Sequence, residues 1–209
     1  MDRLDAIAEK IRQDFTANNA ARDRALVASR ELVRYCSLTI RAVHRAEFAE
    51  ADKLLARAGS LVAELEDSLR TMPDIYYAGY VQDALKEYAE ANAFYALVTG
   101  RPLPDPDDIH CGYASYLNAL GEVVGELRRY VLDALRQGKT ERCEETLQAM
   151  DDIYSVMVTM DFPDAITGGL RRTTDVTRGI MEKTRGDLTF ALRQDQLEKA
   201  LAAFERRMK

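Results

Sequence analysis

The stretch YASYLNALGEVVGELRRYVLDALRQG, residues 113–138, predicts a long amphipathic helix. Its apolar side chains recur every three or four positions and therefore share one helix face. They are Tyr113, Leu117, Leu120, Val124, Leu127 and Val131. Gly138 stands where a helix C-cap is expected. The same periodicity runs through most of the chain.

Similar patterns predict helices on both sides of this stretch. The first patterns cover Leu4 to Phe15 and Ala21 to Phe48, which form two helices or one broken helix. The next helices cover Glu50–Met72, Ile75–Thr99 and Thr140–Met160, the last with a capping arrangement at its start. A final segment runs through Leu170 to Leu192 and continues over Gln196–Arg207. The predicted breaks are Pro73 with Asp74 as N-cap, Gly100 with the loop RPLPDPDD, and DFPD at 161–164. No segment alternates with period two, so the predicted class is all-α without a β-sheet.

Length and composition limit the domain organisation. The 209 residues are 47% apolar, which is enough for one substantial core and too little for three ordinary domains. We expect a single domain over 1–209. The 35 acidic and 29 basic residues leave a net charge of −6, which argues against a chain that coats nucleic acid with its whole surface. A local basic patch remains compatible with this balance.

The cysteines and the N-terminus bear on the cellular compartment. Cys36, Cys111 and Cys143 are widely spaced and form no CxxC pair, so we expect buried free thiols and a reducing, cytoplasmic setting. Charges occur in every turn of the first fifteen residues, and no apolar run reaches the roughly 18 residues that a membrane span needs. We therefore expect neither secretion nor membrane insertion.

Carboxylates are the main lead to a chemical function, because the P-loop, dinucleotide-binding and serine-hydrolase motifs are absent and His44 and His110 lie in no metal-binding frame. In LKEYAEANAF, Glu87 and Glu90 share a helix face with the apolar Phe94 and Leu97. In ALGEVVGEL, Glu122 and Glu126 lie four residues apart on one face.

Two interpretations of these glutamates remain open from the residues alone. Four carboxylates on two helices are the ligands that Mg²⁺ or Mn²⁺ prefers, and such a site can orient water against a phosphodiester. Glutamate is also a common residue on helix surfaces, and Lys86, Arg128 and Arg129 are close enough in sequence to neutralise the charges. Spacing alone favours the second interpretation.

The order and spacing of several short motifs resemble the translin family, and more closely its Trax branch, the endoribonuclease subunit of a complex that assists RNA silencing in eukaryotes. These motifs are the Tyr76-Tyr77 pair, LKEYAEA, YLNALGEVVGELRRY and LRRTTDVTRGIMEK. The resemblance implies a seven-helix curved bundle. It also implies assembly into a homo-oligomer, an octameric hollow shell with inward-facing acidic sites.

The resemblance gives the glutamates a catalytic role. Trax-type subunits carry a paired-acid motif on one helix, which Glu87 and Glu90 match, and a second motif in a Gly-Glu-Leu context, which Glu122 and Glu126 match. The first acid of that second motif is usually Asp, and here it is Glu122. Translin itself lacks the full acidic set and binds nucleic acid through basic residues after the paired tyrosines, where this chain has AGYVQ.

Cations near these motifs are the predicted contacts to nucleic acid, and their alternative role is a solvated or ion-paired surface. They are Arg128, Arg129, Arg171, Arg172, Arg178 and Lys183. Tyr76, Tyr77 and Tyr80 either stack on unpaired bases or, as we favour, pack against a neighbouring helix.

The resulting prediction is a Mg²⁺-dependent endoribonuclease that cleaves single-stranded or short structured RNA, with Mn²⁺ as a possible substitute. The alternative is a non-catalytic translin-like protein that binds single-stranded RNA or DNA, which would bind in a salt-dependent manner without turnover. A third hypothesis is a helical scaffold whose charged faces bind only protein partners.

Overall fold

The computed structural model describes residues 2–208, and these form eight helices and no strand. The helices are α1 (Asp2–His44), α2 (Phe48–Leu69), α3 (Pro73–Tyr76), α4 (Gly79–Thr99), α5 (Tyr113–Arg136), α6 (Cys143–Val158), α7 (Asp164–Thr167) and α8 (Leu170–Met208). The predicted all-α class is confirmed. None of these helices combines the length and the apolar character that a membrane crossing requires.

Helix α1 is continuous, so the predicted break between Phe15 and Ala21 is wrong. Asparagine often interrupts helices because its side chain competes for backbone hydrogen bonds. Here Asn18 donates to Asp14 at 3.0 Å and Asn19 donates to Asp23 at 3.3 Å, so both amides bond to side chains one turn away. The helix also ends at His44 rather than at Phe48, because Ala46 adopts a positive φ of 57°.

The predicted helix from Ile75 to Thr99 is split into α3 and α4. Met72, and not Asp74, occupies the N-cap of α3, and Pro73 lies in its first turn, where a missing N–H costs nothing. Gln82 donates to the Tyr76 carbonyl at 2.9 Å across the break. At the other end Gly100 confirms its predicted role: its φ is +71°, and the next N–H bonds back to the Ala96 carbonyl at 2.9 Å.

Helix α6 begins later than predicted. The proposed cap at Thr140 does not form, and the helix starts at Cys143 with Arg142 at the N-cap position and no side-chain cap. The Arg142 guanidinium instead donates to the Val98 carbonyl in the last turn of α4 and pairs with Glu145 at 3.1 Å. The start of α6 is thus held by a tertiary contact that no local pattern encodes.

The C-terminal helical segment is divided differently from the prediction. Gly168 and Gly169 both have positive φ and separate the single turn of α7 from α8. Helix α8 then runs without interruption to Met208, although the sequence predicted a break before Gln196. The split of α3 from α4 and of α7 from α8, together with the continuity of α1, changes the predicted seven helices into eight.

The chain divides into two compact units, and the single domain over 1–209 stays a prediction. One unit contains the residues up to Tyr95 and Pro104–Tyr116, and the other contains Ala96–Leu103 and the residues from Leu117 onward. In the first unit α1 packs along α2. The fully buried side chains there include Leu32, Cys36, Ala58, Val62 and Leu65.

In the second unit α6 packs on α8, and α5 approaches α8 closely at Gly121. A Cβ atom at Gly121 would lie 2.3 Å from Thr173 Cγ2, 3.0 Å from Met157 Cε and 3.1 Å from Thr177 Oγ1. Only glycine fits this position, which explains why a poor helix former lies in the middle of α5. Gly125, one turn later, has no neighbour within 4 Å of such an atom.

The two glycines should respond in opposite ways to alanine. Gly121→Ala forces Thr173 or its helix to shift, and we expect it to lower the free energy of unfolding by about 1–3 kcal/mol. Gly125→Ala adds a better helix former in open space, and we expect a gain of up to about 1 kcal/mol. Urea denaturation of both variants tests this, and equal effects would contradict the close approach of α5 to α8.

Candidate functional site

The first acid pair lies on a helix that is enclosed along most of its length. From Ala84 to Thr99 no residue of α4 is exposed, in part because Ala84, Ala89, Ala91 and Ala93 are small enough to let neighbours approach closely. Glu87 is half-buried and Glu90 is 7% exposed. Phe94, on the same face, is fully buried, which confirms that this face is not a solvated one.

Glu90 stands out among the side chains of residues 2–208, because it is the only buried one that carries an ionisable acid or base other than a thiol or a phenol. Burying a carboxylate without compensation costs several kcal/mol, so such groups are paired, bound to a metal ion or protonated. The position of Glu90 therefore requires a compensating group.

Helix α1 adds a thiol to the surroundings of this acid pair. Cys36 is fully buried, and its pKa is raised above the ordinary range mainly by that burial and then by the charges of Glu87 and Glu90. The thiol thus stays protonated at neutral pH. Cys111 and Cys143 are also buried and free, which confirms the prediction of buried small side chains. Cys36 was not predicted as a neighbour of the acids.

The second acid pair lies on α5. Glu122 and Glu126 are both half-buried, and the Glu126 side chain is 26% exposed. An Arg129 nitrogen lies 4.0 Å from a Glu126 carboxylate oxygen, at the limit of an ion pair, and the Arg129 side chain is mostly exposed. Gly125 has no Cβ and no close neighbour, so the surface beside both glutamates is open.

The predicted cation Arg128 is engaged inside its own unit. Its guanidinium donates to Asp187 at 2.8 Å and to the Thr184 hydroxyl at 3.1 Å, which ties α5 to α8. The Arg128 side chain is only 23% exposed. A contact to nucleic acid at this residue stays a prediction, and it would have to compete with, or add to, the bond to Asp187.

The four predicted cations of α8 differ in how they are paired. Arg171 lies 3.7 Å from Asp161, and Arg178 donates to Glu182 at 2.9 Å. Arg172 and Lys183 are exposed, and within the described part of the chain neither has an acidic partner. Of the four predicted cations, these two have a charge that is available to an anion.

A surface cavity of about 480 Å³ lies beside Lys183. It is lined by Arg128, Val176, Gly179, Ile180, Glu182 and Lys183. A Cβ atom at Gly179 would meet nothing within 4 Å, so a ligand has access to the helix backbone there. The sequence prediction missed Val176 and Gly179, although they lie seven and four residues before Lys183 and therefore on its face of the helix.

Two of the three predicted aromatic residues, Tyr76 and Tyr77, border a second cavity, of about 610 Å³, in the first unit. Its lining includes Glu66, Arg70, Tyr76 and Tyr77. The tyrosine rings contact each other edge to face at 5.1 Å, and Tyr77 is 71% exposed. The Nδ1 atom of His110 lies 3.0 Å from a Glu66 carboxylate oxygen. Packing and base stacking by the tyrosines both stay open.

Taken together, the chain is an all-α protein with an acid pair on each of two long helices and available cations on a third. Comparison with solved structures finds AfC3PO in a complex with duplex RNA, 32% identical with a TM-score of 0.83, covering 90% of this chain and 97% of that one. AfC3PO alone gives the same identity and coverage with a TM-score of 0.84.

Two further relatives extend the comparison. The structure of apo-NeC3PO is 19% identical, with a TM-score of 0.80 over 88% of this chain and 96% of that one, which is a likeness of fold alone. An uncharacterized protein, MJ0175 of Methanocaldococcus jannaschii, is 28% identical over 192 residues, 90% of this chain and 84% of that one. No protein-family model matches the chain. The chain belongs to the translin/Trax family, to which C3PO also belongs.

The buried thiols lead to a pH-dependent prediction. Burial raises the pKa of Cys111 from 9.0 to about 12. The unfolded thiol loses its proton first, so the stability that the protonated thiol contributes is complete below about pH 9 and is lost between about pH 9 and 12. We expect the free energy of unfolding to fall with pH less steeply in Cys111→Ala than in the unsubstituted protein. Urea denaturation in reducing buffer at pH 8, 9 and 10 measures this, and identical slopes would contradict it.

Proposed function

We propose that this chain is a Mg²⁺-dependent endoribonuclease of the Trax type that cleaves single-stranded or short structured RNA. Glu87, Glu90, Glu122 and Glu126 are the proposed ligands and catalytic residues, and Mn²⁺ is an acceptable substitute for the same oxygen donors. The proposal rests on the match of these four residues to the Trax motifs and on 32% identity to AfC3PO.

The single observation that carries the proposal is the burial of Glu90. Removal of a carboxylate from water strengthens its attraction to a cation, and a divalent cation can neutralise several carboxylates at once. The donors fit this cation, because all four are carboxylates and Mg²⁺ prefers oxygen ligands. The nearby thiol of Cys36 is a soft sulfur donor, which Mg²⁺ binds less readily than the carboxylate oxygens.

When bound, Mg²⁺ supplies Lewis-acid polarisation of a phosphodiester and lowers the pKa of a bound water. The contribution of the chain is rigidity and proton transfer. Glu87 and Glu90 are held by an enclosed helix, so little conformational entropy remains to be lost when they bind a ligand. One of the four carboxylates accepts the proton of the attacking water.

The RNA-binding part of the proposal rests on the available cations. Arg172 and Lys183 have no acidic partner among the described residues, and Lys183 borders an open cavity beside Gly179. Arg128, Arg129, Arg171 and Arg178 are the further proposed contacts. The structure of AfC3PO has been solved with duplex RNA, which supports RNA as a partner of the present chain as well. Single-stranded DNA is a possible second ligand.

The family resemblance also supports a proposed assembly. We expect a homo-oligomer, an octamer with the acidic sites facing inward, and a cytoplasmic location, which suits three free buried thiols.

Substitution of the α5 acids tests catalysis. Glu122→Ala and Glu126→Ala should abolish RNA cleavage in Mg²⁺ while leaving assembly intact, because both side chains are half-buried and neither belongs to the close contact at Gly121. Cleavage of labelled single-stranded and hairpin RNA is followed on gels, with EDTA as the metal-free comparison.

The matched control is Glu50→Gln. This glutamate is exposed and lies 3.6 Å from Lys53 on the surface of α2, and neither residue is a proposed ligand or RNA contact, so its loss should leave cleavage unchanged. Full cleavage by both α5 variants, or equal loss in the control, would remove the four glutamates from the active site.

The second candidate function is non-catalytic binding of single-stranded RNA or DNA. It is favoured by one departure from the Trax motif, since Glu122 stands where the family usually has Asp and its longer side chain would carry the carboxylate farther from the helix backbone. Binding without cleavage in either Mg²⁺ or Mn²⁺ would select this function. Absence of binding at low salt would instead favour a protein-binding scaffold.

The salt dependence of RNA binding tests the proposed contacts. Each phosphate contact contributes about 0.7–0.9 to the slope of log K against log salt concentration. Arg172→Gln and Lys183→Gln should therefore each reduce that slope by about 1 and weaken binding to all sequences alike. Arg136→Gln, which removes an exposed cation of α5 that pairs with Asp133, is the control. An unchanged slope in both α8 variants would exclude this face as the RNA path.

A further inference from the structure

The guanidinium of Arg128 reaches from α5 to α8 and is held there by two acceptors. Its Nη2 donates to the Asp187 carboxylate at 2.8 Å, and its Nη1 donates to the Thr184 hydroxyl at 3.1 Å. Because the Arg128 side chain is only 23% exposed, water and salt screen this ion pair less than a pair on the open surface. Asp187 therefore offsets the charge that Arg128 would otherwise present to an anion.

Asp187 lies on the face of α8 that borders the cavity beside Lys183. At about 100° per residue, Ile180, Lys183 and Asp187 fall within about 60° of one another around the helix. Ile180, Lys183 and Arg128 line that cavity. The Asp187 side chain is 48% exposed, so solutes reach its carboxylate. An anion in the cavity would thus lie beside the pair of Arg128 and Asp187.

Most of the charges in the cavity lining are already neutralised by neighbours. Glu182 accepts a hydrogen bond from Arg178 at 2.9 Å. Arg128 is paired with Asp187. Lys183 has no acidic partner among residues 2–208. The lining therefore contains two cations, of which one is neutralised within the protein.

The bond from Arg128 to Thr184 does not depend on Asp187. The Thr184 hydroxyl donates to the Ile180 carbonyl at 2.8 Å, so its lone pairs remain free to accept from Arg128. Thr184 is fully buried, which fixes the position of this acceptor. A guanidinium has five N–H donors, and these two bonds use two of them. Arg128 can therefore exchange a carboxylate for a phosphate oxygen and stay tied to α8 through Thr184.

We propose that Asp187 competes with the phosphates of RNA for Arg128 and thereby limits the affinity of the chain for nucleic acid. A carboxylate oxygen and a phosphate oxygen are both anionic acceptors for the same N–H groups, so one replaces the other. A phosphate in the cavity is attracted by Lys183 at once, but it must displace Asp187 to reach Arg128. A small anion leaves the ion pair intact, whereas an RNA that is also held elsewhere completes the exchange. This inference rests on the proposed RNA-binding function.

Removal of the Asp187 charge tests the competition. Asp187→Asn keeps an acceptor oxygen for Arg128, so α5 should stay tied to α8. We expect RNA to bind about two- to fivefold more tightly, which is the range expected for loss of a partly exposed ion pair. The slope of log K against log salt concentration should become steeper by about 0.7–0.9, because one more phosphate contact releases counterions. Asp187→Ser removes the same charge and should give the same result.

Two further variants separate this competition from a general change in net charge. Asp195→Asn is the matched control, because it removes a carboxylate of α8 that pairs with Lys199 at 2.6 Å and belongs to no proposed contact. Its slope should equal that of the unsubstituted protein. Arg128→Gln, added to Asp187→Asn, should cancel the steeper slope, because the added phosphate contact needs the guanidinium. Fluorescence anisotropy of labelled RNA over a salt series measures binding, and circular dichroism checks that each variant is folded.

The outcomes distinguish the competition from the proposed function. Unchanged affinity and slope in Asp187→Asn, an equal gain in Asp195→Asn, or a gain that survives Arg128→Gln would overturn the competition. Absence of RNA binding by every protein, the unsubstituted one included, would count against the proposed function. The same variants would then be measured with inorganic polyphosphate, which offers phosphate oxygens without sugar or base. Equal polyphosphate binding with and without the Asp187 charge would overturn the competition in that case too.

Discussion

The enclosure of α4 is the constraint on which the candidate site depends. A helix with no exposed residue over four turns must be built from small and apolar side chains, and Ala84, Ala89 and Phe94 supply them. Two glutamates in such a helix are held at defined positions and are partly removed from water. Removal from water raises the free energy of the ionised carboxylates, and it also strengthens their attraction to a cation. The stability of the fold and the affinity of the proposed site thus depend on the same packing.

Gly121 and Gly125, in neighbouring turns of α5, have different structural roles. Gly121 permits the approach of Thr173 and so fixes where α5 lies against α8. Gly125 leaves open surface beside Glu122 and Glu126. Arg128 then completes the contact to α8 through Asp187. The positions of the α5 acids are therefore set by packing on one side of the helix while access is preserved on the other.

Much of this architecture could be predicted from periodicity, because an apolar side chain every three or four residues identifies a helix wherever it packs. The Gly100 stop is local, since it depends only on one residue with positive φ. The features that escaped prediction depend on distant partners or on competing local bonds. Arg142 begins α6 through a carbonyl of α4, and Asn18 keeps α1 continuous through Asp14.

In the candidate site, too, the features set by neighbours in sequence could be predicted and those set by distant residues could not. The four glutamates could be predicted, because helical spacing and the family motifs involve neighbours in sequence. The protonated thiol of Cys36 beside Glu87 and Glu90 could not, since it belongs to a helix some fifty residues earlier. The sequence shows that Arg128 and Lys183 are both cationic, but it does not show which of them is paired. In the structure Arg128 bonds to Asp187 within its own unit, whereas Lys183 borders an open cavity.

The guanidinium of Arg142 has a dynamic consequence. It bonds to carbonyls in the last turn of α4 while its own residue begins α6. Helix ends ordinarily fray independently of one another, but here the opening of either end breaks the bonds of the other. Backbone amides at the end of α4 and at the start of α6 should therefore exchange with solvent as one cooperative group, although more than forty residues separate them in the chain.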